Sequence, residues 1–267
     1  MLDMLNNRTL GLTVLVGLLF AGSASAETTP LSENDMVAVS FWIATAMMFA
    51  STIFFLVERN NVAPKWRTSM TVAALVTGVA WYHYTYMRDH WVMTKAIDGT
   101  GESPLVLRYI DWLITVPLQV AEFYLILAAI GVASAALFWR LFGASIIMLV
   151  FGFLGESEQL DPMLAWGIGV LAWGYIVYEI WVGDAKKASE KASEGTKLAF
   201  TYMTYILTFG WAIYPLGYLY GEGVFGDEDL DMLNIVYNIA DVVNKTAFGM
   251  MIWYAATVDT AAAEAED

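Results

Sequence analysis

Residues 104–128 read PLVLRYIDWLITVPLQVAEFYLILA. As a helix rising about 1.5 Å per residue, this run exceeds the roughly 30 Å hydrocarbon core of a bilayer. It nevertheless carries Arg108, Asp111 and Glu122. A charge at bilayer depth costs about 2.5–3.5 kcal/mol on insertion scales, so each one needs a reason. At about 100° per residue, Thr115 falls about 40° from Asp111, Glu122 about 20° and Arg108 about 60°. Arg108, Asp111, Thr115 and Glu122 therefore form one polar stripe on an apolar helix. The two carboxyls are separated along the axis by roughly 16 Å. Two acids on one stripe, with an arginine beyond one of them and a threonine between, have the arrangement of stations for a proton. Pro117 removes a backbone donor between them and can kink the stripe.

The rest of the chain repeats the apolar theme. Of 267 residues, 58% are hydrophobic and 15% charged, against roughly 45–50% and 25% in soluble domains. Seven apolar stretches, near 34–57, 67–88, 104–128, 134–155, 162–183, 198–221 and 232–258, are each long enough to cross a membrane. The expected fold is an all-α bundle of seven transmembrane helices occupying 27–258. Residues 1–26, with Arg8, the apolar run 10–21 and Ala24-Ser25-Ala26, read as a cleaved secretory signal peptide. Residues 259–267 read as a solvated acidic tail. Lys and Arg gather in the first and fifth loops, at Arg59, Lys65, Arg67, Lys186, Lys187, Lys191 and Lys197. The positive-inside rule then sets the N-terminus outside and the C-terminus in the cytoplasm. With 0 Cys there are no disulfides or thiolate metal sites, and with 2 His a histidine metal centre is not expected. A net charge of −14 argues against nucleic acid.

The last span adds Asp241 and Lys245, four apart and on one face. Lys245 is the one lysine well inside an apolar span. Spacing leaves two readings open: a structural ion pair, or a functional lysine that acts as a cation in a transport path or binds a carbonyl cofactor covalently. Arg108 and Lys245 balance Asp111 and Asp241, as a low-dielectric site requires if all are ionised. Glu122 has no cation nearby in sequence, and desolvation favours its protonated form. A protonated inner acid and an ionised outer acid are the states of a donor and an acceptor for outward proton movement.

These residues resemble the microbial rhodopsins, and closely the proteorhodopsins. The likeness spans all seven stretches. It is carried by Arg108-Tyr109-Ile110-Asp111-Trp112 with Thr115 and Glu122, by Asn238 to Lys245, by Phe209-Gly210-Trp211-Ala212-Ile213-Tyr214-Pro215, and by Trp81-Tyr82-His83-Tyr84. The resemblance implies all-trans retinal joined to Lys245 as a protonated Schiff base, in a light-driven outward proton pump of the bacterial inner membrane. Asp111 is implied as counterion and proton acceptor, Asp241 as second counterion, Arg108 as organiser of the outer side and Glu122 as donor. Trp112, Trp211, Tyr214 and Pro215 are implied to wall the polyene, with Met148 and Gly152 at its ring. His83 is implied to lie against Asp111 and, across a pentamer or hexamer, against Trp42. Gln119 occupies the position where blue-absorbing members carry Gln and green-absorbing ones Leu. The sequence departs from the family at Ala121, where a Cys is frequent, and in the long loop Asp89–Ser103. The competing reading is a slow photosensor that signals to a partner protein; Glu122 favours the pump, because a donor speeds turnover.

Overall fold

The computed structural model describes residues 31–128, 131, 134–227 and 229–265. The expected signal peptide lies outside them. The chain divides at Ser32, and Glu33–Asp267 forms the helical body. No strand occurs among the described residues. Seven rods make the body: α1 (Met36–Glu58), α2 (Arg67–Asp98), α3 (Leu105–Ala128), α4 (Ala135–Glu156), α5 (Pro162–Trp181), and two composite rods. The sixth joins α7 (Glu194–Tyr205) to α8 (Ile213–Gly221) through a π-helical turn, Ile206–Gly210. The seventh joins α9 (Leu230–Val242) to α10 (Phe248–Glu264) through a second, Val243–Ala247. A short α6 (Asp184–Ser189) precedes the sixth rod.

Side-chain caps start most rods. Asp35, Ser134, Asp161, Ser193 and Asp229 each accept a hydrogen bond from the backbone N–H three residues on, which satisfies one of the orphan donors at a helix N-terminus. Successive rods pack side by side, and the seventh returns to the first and second. Thr52 donates to Thr77 at 2.9 Å, joining α1 to α2, and Ser51 meets Thr246 at 2.9 Å, joining α1 to the seventh rod. Such pairs hold helices together where apolar surroundings give no hydrophobic drive.

Several charged and polar residues are buried in the bundle while large apolar ones face outward. On α3, Asp111, Thr115 and Glu122 are fully buried and Arg108 and Gln119 nearly so, while Ile110 and Ile114 are exposed. Apolar Leu171 and Phe209 likewise face outward. Four segments, Met36–Glu58, Leu105–Ala128, Ala135–Glu156 and Pro162–Ser189, are long and apolar enough to cross a membrane. The others carry polar residues or are interrupted by the π turns.

Three features differ from what sequence patterning predicts. α2 does not stop at 88 but continues to Asp98, so His90 is helical rather than in a loop. The extension is held because Trp91 is fully buried, its indole donates to Asp35, and Lys95 pairs with Asp35 at 3.1 Å. Gly99, at φ +85°, ends the helix in the left-handed conformation that glycine adopts without strain. Pro117 is accommodated inside a continuous α3. The final helix runs past 258 to Glu264, and Asp259 pairs with Lys65 at 2.5 Å and accepts from the Trp66 indole at 2.8 Å.

Candidate functional site

The polar stripe of α3 and the matching face of the seventh rod meet in the middle of the bundle. Asn234, Asn238, Asp241 and Lys245 recur at intervals of four, three and four, which keeps them on one helical face. Lys245 Nζ donates to Asp111 Oδ2 at 2.6 Å and to Asp241 Oδ2 at 2.8 Å. All three side chains are buried. One ammonium thus bridges two carboxylates from different rods.

The two carboxylates have different surroundings. Asp241 also accepts from Tyr84 OH at 2.9 Å, Tyr214 OH at 2.5 Å and Trp112 Nε1 at 3.4 Å. Asp111 Oδ1 has no hydrogen-bond partner among the described residues. His83 Nδ1 lies 3.8 Å from that oxygen but is 2.9 Å from the Val79 carbonyl, its closer partner. Thr115 lies beside Asp111 through the backbone, its hydroxyl donating to the Asp111 carbonyl at 2.9 Å.

Arg108 does not touch either aspartate in the hydrogen-bond network. Its Nη2 donates to Asn234 Oδ1 at 2.9 Å and Asn238 Oδ1 at 2.8 Å, and its Nη1 to Tyr84 OH at 3.5 Å. The Tyr84 phenol then links the guanidinium to Asp241. Arg108 also lies over the Phe41 and Tyr237 rings, 5.4 and 5.5 Å from their centroids. Contacts of this type stabilise a desolvated cation.

A pocket opens beside Lys245. Its walls include Trp112, Trp173, Trp211, Tyr214 and Pro215, with Met148, Leu149 and Gly152 from α4. Every cofactor-binding position expected from the sequence is therefore on this cavity. Gln119 lines it too, but its amide donates to the backbone carbonyl of Asn244 at 2.9 Å. Glu156, the last residue of α4, borders the cavity together with Tyr218. A largely apolar, aromatic-walled pocket with one amine suits an apolar ligand bearing a carbonyl.

Glu122 stands apart from the charged cluster. It is fully buried, and neither carboxyl oxygen has a hydrogen bond meeting ordinary geometry among the described residues. Ser69 of α2 is the polar side chain that interacts with it. Next to it in sequence, Phe123 packs edge-on against Phe200 and Phe248. Trp42 is 41% exposed on α1, with the Arg88 guanidinium 4.1 Å above its ring.

Reading charges alone misses Tyr84, Asn234, Asn238, Tyr237 and Asn244, and Glu156 falls just beyond the apolar stretch 134–155. The one-face spacing of the two asparagines with Asp241 and Lys245 is the signal that could have found them. Tyr84 and Tyr237 carry no such signal, since a tyrosine in a membrane helix is ordinary.

Residues 35–258 match the family model described as bacteriorhodopsin-like protein. The chain is 49% identical to the green-light absorbing proteorhodopsin of Gamma-proteobacterium EBAC31A08, covering 86% of this chain and 90% of that protein. It is 46% identical to the blue-light absorbing proteorhodopsin of Gamma-proteobacterium Hot 75m4, covering 91% and 97%. Among solved structures, the blue light-absorbing proteorhodopsin from Med12 superposes with a TM-score of 0.71 at 51% identity, over 84% of this chain and all of the other.

Proposed function

Because the chain belongs to the bacteriorhodopsin-like family, we propose that it is a light-driven proton pump that holds retinal on Lys245. In this reading it moves protons outward across the bacterial inner membrane and absorbs in the blue. The observation that carries the reading is Lys245 Nζ, held at 2.6 and 2.8 Å by Asp111 and Asp241 at the edge of an aromatic cavity. Retinal, in its all-trans form, supplies light absorption and a change of shape; the protein's side chains do the rest.

Asp111 takes the proton from the Lys245 nitrogen. It is within the distance at which a positioned base acts, and one of its oxygens is free of hydrogen bonds among the described residues. Asp241 keeps its charge, because three further donors from Tyr84, Tyr214 and Trp112 already occupy its lone pairs. Arg108, fixed by two asparagines, keeps positive charge on the outer side of the pair. Glu122 returns a proton to the Lys245 nitrogen from the cytoplasmic side. A buried carboxyl without a cation is costly when ionised, so Glu122 is suited to hold its proton until it is needed. Gln119 tunes the colour from the cavity wall, and Trp42 and His83 lie near the contact of a homo-oligomer, a pentamer or hexamer.

The test is transport. Cells making the protein with retinal are illuminated in unbuffered medium while external pH is followed. Reversible acidification that a protonophore abolishes is the expected result. Alkalinisation would reverse the direction, and a coloured protein giving no pH change would leave a sensor as the reading.

A further inference from the structure

Each of the two composite rods contains one π turn, Ile206–Gly210 and Val243–Ala247. A π turn interrupts the regular hydrogen-bond ladder and is frequent at functional sites. Asn244 lies in the second turn and reaches the first. Its Nδ2 donates to the Gly210 carbonyl at 3.1 Å and to Tyr214 OH at 3.1 Å. Its own carbonyl accepts from Gln119 of α3 at 2.9 Å. Asn244 is 2% exposed. The fit is close: a Cβ at Gly210 would overlap the Asn244 side-chain oxygen.

Asn244 therefore joins three rods, and it is the residue before Lys245. Tyr214 adds a second route, since its hydroxyl accepts from Asn244 and donates to Asp241. A change in the backbone at Lys245 reaches the adjacent Asn244 directly, and a change in the charge on Asp241 reaches it through two hydrogen bonds by way of Tyr214. We propose that Asn244 is a positioning residue that transmits movement of the Lys245 segment to the sixth rod through the Gly210 carbonyl. This rests on the light-driven reading above. In the resting protein the amide holds the two π turns together. After light the same bond carries displacement of the Lys245 segment to the sixth rod and couples the return of the two rods.

The experiment uses the full chain with retinal. Because the chain has 0 Cys, cysteines introduced by Asn61→Cys and Glu194→Cys are unique spin-label sites, one on the first loop and one at the start of the sixth rod. A light-induced change in their separation is expected in the parent protein. Asn244→Ala is expected to form pigment, to change dark-state recovery by roughly tenfold, as loss of a buried hydrogen bond predicts, and to abolish the distance change. Asn244→Asp, which keeps the shape but sets an acceptor against the Gly210 carbonyl, should do the same, and so should Gly210→Ala. The double variant Asn244→Ala/Gly210→Ala should be no worse than Asn244→Ala, because the overlap is gone. Where Asn244→Ala does not fold, Asn244→Asp and Gly210→Ala carry the test. Unchanged recovery with an intact distance change, additive effects in the double variant, or no distance change in the parent would each overturn the proposal. Absence of pigment in the parent would instead overturn the light-driven reading.

Discussion

The two acids of α3 sit on one face of one helix, yet their surroundings are opposite. Asp111 lies in a dense network of a lysine, a second aspartate, tyrosines and asparagines. Glu122 is fully buried away from that network, with Ser69 as its polar neighbour and no ion pair among the described residues. A buried charge is tolerable when paired and hydrogen-bonded, and very costly when not. The same residue class on the same stripe is thus prepared for two states. In the pump proposed above, the Asp111 end would hold charge and pass a proton over a short distance, and the Glu122 end would keep its proton until the protein changes shape.

Removing the cation tests the first half of this contrast and has the largest expected effect. Lys245→Ala should give no visible pigment with retinal, as read by absorbance of the purified protein; surviving colour would move the attachment elsewhere. Asp111→Asn should keep the pigment but abolish light-driven acidification, because no acceptor remains 2.6 Å from the nitrogen. Glu122→Gln tests the second half of the contrast. It should leave proton transfer to Asp111 intact and slow recovery of the dark state by about a hundredfold, the scale of a lost general acid. Time-resolved absorbance separates the two steps. If Glu122→Gln slowed the first step and not the second, the division of labour between the acids would be wrong. Gln119→Leu is a smaller perturbation. It should shift the absorption maximum to the red, and it leaves the Asn244 carbonyl without its donor; a blue shift or none would contradict the tuning role.

Much of this contrast is legible in sequence, for a physical reason. Charges are so costly in a bilayer that Arg108, Asp111, Glu122, Asp241 and Lys245 stand out against their spans without any structure. The seven apolar runs are legible for the same reason. Helix interruptions are not: a π turn preserves hydropathy, and what stabilises the one at Gly210 is an amide on another rod. The reach of α2 to Asp98 is also hidden, because Arg88-Asp89-His90 looks like a loop until Trp91 is seen buried beneath it. Neutral polar residues such as Asn234 and Asn238 give too weak a cost signal, although their spacing from Lys245 marks their face. That Arg108 meets Asp241 through Tyr84 rather than directly depends on three rods and has no local signature.

The smallest expected effect comes from a third carboxylate, Asp259, which repeats the lysine–aspartate pairing of the core where water can reach it. Lys65 is 43% exposed in this pair, whereas Lys245 is 2% exposed in its own. Burial tends to raise the Asp259 pKa, but the hydrogen bonds from Lys65 and Trp66 outweigh it and hold the carboxyl below its ordinary value. A lowered folded-state pKa contributes stability above about pH 4, and that contribution is lost as pH falls through the lowered value. Asp259→Asn should therefore cost about 0.2–1 kcal/mol at pH 7, the range of solvent-exposed pairs, and progressively less in acid. Thermal loss of visible absorbance, followed at pH 7 and in a descending pH series, reads both. A partner lost from a buried pair costs about 3–5 kcal/mol. A cost of that size at Asp259 would mean that water does not screen this pair, and that solvent exposure is not what separates it from the Lys245 site.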